Sequence, residues 1–159
     1  MAKKSKGAPE DIASNRRARH DYTVLESMEA GIQLVGTEVK SIREGRINLR
    51  DSFARIEQGE VLLYGVDIQA YANASYYQHE AKRARRLLLH RKEIRKLIAL
   101  TAEKGHTLIA LRAYWKGRRV KIELGIGRGK TKGDSRDELR KRVENREAAR
   151  EMVEFNRRR

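Results

Sequence analysis

The sequence contains no cysteine. Disulfides, thiol nucleophiles, iron–sulfur clusters and thiolate zinc sites are excluded together. Proline occurs once, at Pro9, and interrupts none of the later segments. No apolar run approaches the ~20 residues of a membrane-spanning helix. The first fifteen residues carry lysines but lack the apolar stretch of a secretory signal. A cytoplasmic protein with no membrane attachment is expected. Acidic residues are also scarce, 22 against 37 lysines and arginines, which leaves a net charge of +15 on 159 residues. Such a charge opposes self-association and favours a polyanion. A monomer is therefore expected, with RNA, DNA or an anionic surface as partner.

The charge is unevenly placed. Residues 21–81 are net −5, whereas the fifteen residues 82–96 are net +7 and both ends are basic. Apolar residues recur in short runs from Tyr22 to Ile126 and thin out afterwards. The pattern predicts a basic, flexible arm over 1–17, a folded body over 18–129 and a tail over 130–159.

Within the body, His20–Leu25 and Ala30–Val35 have strand character. Thr37 can cap a short helix that Gly45 would stop. Two runs flanking Gln58-Gly59 read as a hairpin, and Thr107–Trp115 with Arg119–Ile126 read as a second. His90–Lys104 shows helical periodicity through Ile94, Leu97, Ile98 and Thr101, with Gly105 at its end. About six short strands with two inserted helices predict a mainly β, OB-like antiparallel barrel, since closure removes exposed strand edges. In the tail, Arg136–Phe155 has good helix formers but a broken apolar stripe. Arg142, Arg146 and Arg150 form one basic edge of that helix. Both a segment that folds on RNA and a solvated disordered tail fit this pattern.

Enzymatic chemistry finds little support. Gly125–Thr131 is near a phosphate-binding loop, but Leu124 stands where the first glycine is needed. The four histidines, His20, His79, His90 and His106, lack metal-ligand spacing. Neither a cofactor nor a metal is expected. The run Lys82–Lys92 adjoins a capped helix and suits phosphate contact through Arg83, Arg85 and Arg86. Asn15, Arg16, Arg17, Arg19 and His20 precede the first expected strand and suit sugar–phosphate contact. Tyr114 and Trp115 lie beside Lys116, Arg118 and Arg119. Strand alternation buries one ring and leaves at most one to stack on a base.

Several strings, taken in order, carry a resemblance: Asn15-x-x-Ala18-Arg19-His20-Asp21-Tyr22, Glu29-Ala30-Gly31-Ile32, Gly36-Thr37-Glu38-Val39-Lys40-Ser41-Ile42-Arg43, Asn48-Leu49-x-Asp51-Ser52-Phe53, Arg85-Arg86-Leu87-Leu88-Leu89, Gly105-His106-Thr107-Leu108, and Gly129-Lys130 leading to Asp134-x-Arg136. Between about residues 13 and 150 the chain closely resembles the SsrA-binding protein (small protein B) family of bacterial trans-translation. The resemblance implies an OB-fold barrel with flanking helices and a C-terminal tail disordered in the free protein. It implies binding to the tRNA-like domain of transfer-messenger RNA, entry into stalled ribosomes, and tagging of the nascent peptide for degradation without catalysis by the protein. Elongation factor Tu and alanyl-tRNA synthetase are implied only indirectly.

Matching positions place Asn15, Arg17, Glu29, Arg43, Leu88 and Arg119 on the family's RNA-binding surface, and Lys40 of the Gly36–Arg43 string joins them. The tail positions Gly129, Lys130, Asp134 and Arg136 fall in the motif that engages the ribosomal decoding centre and message channel, with Arg142, Arg146 and Arg150 beyond it. The chain departs from the family at Gly133-Asp134-Ser135-Arg136, where an aromatic-Asp-Lys-Arg string is usual, at Asp67–Ala70, and at Ala81 in place of proline. A general RNA-binding barrel without a tagging role is the other reading of these features.

Overall fold

The computed structural model describes residues 10–157. These comprise nine strands and four helices, divided into one unit ending at Gly129 and another beginning at Lys130. The first unit contains β1 (Glu10–Ser14), α1 (Arg16–Asp21), β2 (Tyr22–Ile32), α2 (Gly36–Arg43), β3 (Ile47–Asn48), β4 (Phe53–Glu57), β5 (Glu60–Tyr64), β6 (Asp67–Ile68), β7 (Arg85–Leu88), α3 (Arg91–Thr101), β8 (His106–Lys116) and β9 (Arg119–Gly129). Strands β8, β4, β5, β7, β2 and β9 are hydrogen-bonded in that order, and a β8–β9 pairing closes the ring. Every pair in it is antiparallel. This is the expected mainly β barrel.

Local chemistry sets the turns. Gln58 and Gly59 both have positive φ, 50° and 76°, so the β4–β5 loop takes the two-residue form whose twist matches its strands. Gly117, at φ 62°, lets β8 return directly as β9. Alternate residues of these strands, including Val61, Leu63, Leu87, Ile122, Leu124 and Ile126, fill the interior. Leu97 of α3 is also fully buried in this cluster.

A smaller apolar cluster lies outside the barrel wall, where Ala18 of α1 meets Ile109 and Leu111. The ladder shifts register between Ala110 and Arg112, as a bulge at Leu111 requires. The missing side chain of Gly125 makes room for Leu111: a Cβ there would stand 2.7 Å from Leu111 Cδ1. Gly125→Ala is therefore expected to lower stability by about 1–3 kcal/mol through overpacking. The urea unfolding midpoint, with an unchanged slope, would register it, and an unchanged midpoint would show that Leu111 can yield.

Several expectations need correction. The two early strands are one, β2, whose register shift between Val24 and Glu26 accommodates Leu25 as a bulge. His20 and Asp21 belong to α1 instead. The arm expected over 1–17 falls outside the described residues as far as Pro9; beyond it, Glu10–Ser14 pair with Arg112–Trp115 of β8 as a strand. The charged run 82–92 contains β7, with Arg85 and Leu87 inward and Arg86 and Leu88 outward.

The second unit carries α4 (Lys132–Arg157), 26 residues with no buried side chain. The tail was expected to be disordered in the free protein and helical on the ribosome; in the structure Lys132–Arg157 are helical. It begins with a reciprocal cap: Asp134 Oδ2 accepts from the Thr131 backbone N–H at 3.0 Å, and the Asp134 N–H donates to Thr131 Oγ1 at 3.3 Å. Good helix formers and the lack of proline then let it continue.

Candidate nucleic-acid interface

Glu29 lies near the end of β2, opposite Glu123 of β9. The Tyr114 hydroxyl donates to its carboxylate, Lys116 Nζ donates from 3.0 Å, and Lys121 Nζ lies 4.0 Å away. The Tyr114 hydrogen bond, followed by that of Lys116, holds the Glu29 carboxyl below its ordinary range. Burial, and then Glu29 itself, pushes the Tyr114 hydroxyl up, so it remains a protonated donor at neutral pH. Arg112 steadies the other side. Its guanidinium lies over the Tyr114 ring at 4.6 Å and bonds Glu123 at 2.7 Å and Asp11 at 2.8 Å.

The carboxylate opens on a groove of about 700 Å³ whose lining includes Leu88, Trp115, Arg118, Arg119 and Lys121. Leu88 is 48% exposed, an apolar shelf beside cations. It sits opposite Gly31, where a Cβ would come 3.1 Å from Leu88 Cβ. The groove thus offers three kinds of contact. An ionised acceptor can meet base N–H groups or a 2′-hydroxyl, cations can meet phosphates, and Leu88 with Trp115 can receive a ribose or a base. Of the adjacent aromatics Tyr114 is buried and Trp115 is the accessible one.

The structure thus brings Glu29, Leu88 and Arg119 together. Asn15 and Arg17 belong elsewhere, at a hollow of about 370 Å³ that also contains Tyr22, Phe53 and Arg55. Arg17 pairs there with Asp21 at 3.4 Å and Asp51 at 3.7 Å. Arg16, Arg19 and His20 are exposed on α1, with Arg19 3.6 Å from Glu123 and His20 3.0 Å from Asp21. Lys40 and Arg43 are exposed on α2, and Arg86 reaches Glu60 at 2.9 Å.

Two expected contact residues are internal. Asn15 caps α1, accepting from the Ala18 N–H, and its amide donates to Leu49 O and Ala110 O from a buried position. Arg85 has no exposed surface. Its guanidinium donates to Glu38 Oε1 at 2.8 Å and to the carbonyls of Val66, Arg83, Glu80 and Ala81. Its assignment as a phosphate contact is therefore replaced by a structural one. Arg83 bonds the same carboxylate at 2.7 Å while remaining partly exposed.

The positioning roles of Tyr114 and Arg112 were not expected. Their partners are remote in sequence, Glu29 by 85 residues for Tyr114 and Asp11 by 101 for Arg112, and only the pairing of β8 with β1 and with β9, which in turn pairs β2, joins them. In the tail unit, Lys130 bonds Glu138 at 2.7 Å. Arg136, Arg142, Arg146 and Arg150 are exposed on α4, while Gly129 ends β9. Among the described residues there is no group of three or more His, Asp or Glu able to hold a metal ion, and no helix long and apolar enough to cross a membrane.

The family described as SmpB protein matches residues 12–154. This chain belongs to the SmpB protein family. Among its SmpB relatives, the SsrA-binding protein of Carboxydothermus hydrogenoformans is 55% identical over 89% of this chain and 92% of its own length. That of Bacillus subtilis is 48% identical over 91% of this chain and 93% of its own. A solved structure described as "tmRNA-SmpB: a journey to the center of the bacterial ribosome" superposes with a TM-score of 0.64 at 44% identity, covering 80% of this chain and 94% of that one.

Proposed function

We propose that this chain binds the tRNA-like domain of transfer-messenger RNA and accompanies it into stalled ribosomes for trans-translation. The observation that carries the reading is near-full-length identity of 48–55% to proteins named for binding SsrA. The groove around Glu29 supplies a physical means, since it combines a fixed acceptor, cations and an apolar shelf. In this reading the barrel is the RNA-binding body and residues 130–159 are the part that enters the decoding centre and message channel. The protein acts as a monomer in the cytoplasm and contributes binding, while the RNA supplies the alanine and the coding stretch. Elongation factor Tu and alanyl-tRNA synthetase meet the complex through the RNA.

The test is a competition titration at about 0.15 M salt, where charges beyond ~8 Å are largely screened. Binding to the labelled tRNA-like domain should survive excess bulk tRNA and unrelated duplex RNA. Loss to either competitor would reduce the protein to a non-specific polycation. Glu29→Ala raises the net charge, yet we expect about tenfold weaker specific binding, because hydrogen bonds to a charged group are lost. Tyr114→Phe should weaken binding less, and the double variant should be no worse than Glu29→Ala alone. Additive losses would refute the positioning role of Tyr114.

A further inference from the structure

Between β6 and β7 the chain makes a long excursion, residues 69–84, none of which lines the groove around Glu29. Its ends are firmly tied. Ser41 Oγ donates to Gln69 O at 2.7 Å, and the Gln69 N–H donates to Arg46 O at 3.1 Å. Lys40 Nζ lies 5.4 Å from the centre of the Tyr71 ring. The Gln78 amide clasps both backbone polar groups of Tyr71, accepting at 3.1 Å and donating at 2.8 Å. His79 is buried between Thr37 Oγ1 and Ile68 O. Residues 72–77 are thus a short reach closed at its base by Gln78 and Tyr71.

That reach holds two adjacent tyrosines in solvent. Tyr76 is 102% exposed, as in an extended chain, and Tyr77 is 63% exposed. Neither ring contributes to the barrel's apolar clusters. Cations accompany them: Lys82 is exposed in the same loop, and the Lys40 ammonium meets the loop's base at Tyr71. Exposed rings with flat faces beside lysine match the requirements of unpaired nucleotides, whose bases stack and whose phosphates need cations.

We propose that Tyr76 and Tyr77 form a second RNA site, a stacking finger for unpaired bases, separate from the groove around Glu29. The proposal needs only that the chain meets RNA, and so is tested apart from the specific function above. The full chain is titrated into a single-stranded RNA oligonucleotide carrying 2-aminopurine, and into the same oligonucleotide annealed to its complement. Stacking should quench the single-stranded probe and spare the duplex. Tyr76→Ala with Tyr77→Ala should remove the quench and lower single-strand affinity roughly tenfold or more, while Tyr76→Phe with Tyr77→Phe keeps both. Since the side chains are exposed, thermal melting should not change. A quench that survives the alanine pair overturns the finger whatever the tRNA-like domain does. A quench lost in that pair, with no specific binding of the tRNA-like domain by the wild-type chain, supports the finger and sinks the specific function instead.

Discussion

Glu38→Ala is expected to cost the barrel about 3–5 kcal/mol, the usual consequence of stranding one member of a buried ion pair. Glu38 and Arg85 have no exposed side-chain surface, and Arg83 bonds the same carboxylate. Glu38 also accepts the Val35 N–H at 2.9 Å, which fixes the start of α2. Without the carboxylate, Arg85 keeps its four carbonyls and loses its only neutralising hydrogen-bond partner among the described residues. The pH dependence follows from the same geometry. Burial pushes the Glu38 carboxyl up, but hydrogen bonds from Arg83, Val35 and Arg85 outweigh it and hold the group below its ordinary value. A depressed carboxyl contributes stability that is present above the unfolded value, about 4.3, and is lost as pH falls through the folded one. Urea midpoints of the wild type should therefore drop as pH is lowered from about 5 toward 3. Glu38→Gln should start lower at neutral pH and lose less over the same interval. Parallel acid limbs for the two proteins would show that the pair is not the group titrating.

This pair also explains what the sequence did and did not disclose. The string Gly36–Arg43 is the most specific part of the family resemblance, and its interior members serve architecture. Thr37 holds His79, Glu38 holds Arg83 and Arg85, and Ser41 holds Gln69. Together they fasten the crossing loop 69–84 to α2. A run of cations at 82–86 reads as a solvent face because charge density says nothing about which side of a strand each residue takes. Alternation in β7 settles it, with Arg85 inward and Arg86 outward. That strand was hidden because only four residues long and half arginine. The two hairpins were legible because Gln58-Gly59 and Gly117 impose their turns locally. β1 was not, since its partner β8 lies about a hundred residues away and its own sequence, Glu10–Ser14, lacks strand character. For the interface, the carboxylate, the apolar shelf and Arg119 were legible through the resemblance. Lys121 and the hydroxyl of Tyr114 became visible only when β8 and β9 placed them beside Glu29.

Truncation after Gly129 should separate the two activities in the proposed function. Both apolar clusters of the first unit draw on residues between Ile12 and Ile126, so removal of 130–159 should change barrel stability by no more than about 0.5 kcal/mol. Affinity for the tRNA-like domain should change little, because Glu29, Leu88, Trp115 and Arg119 all remain. Tagging of stalled peptides should fall to background. The reason lies in what α4 is: a capped helix of 26 residues that buries nothing, with Leu139, Val143, Met152, Val153 and Phe155 exposed. Helices of this kind gain most of their stability from an external surface. Arg142, Arg146 and Arg150, four residues apart, give the helix one cationic edge, which is complementary to a polyanionic surface. Converting those three arginines to alanine in the full chain should reduce tagging while preserving both helix propensity and RNA binding by the barrel. The departure at Gly133-Asp134-Ser135-Arg136 makes the result informative either way. Asp134 spends one carboxylate oxygen on the Thr131 cap, so Asp134→Ala should fray the first turn of α4 before it alters any contact beyond it. Tagging that persists after truncation would refute the role given to residues 130–159 and leave the function complete in the barrel.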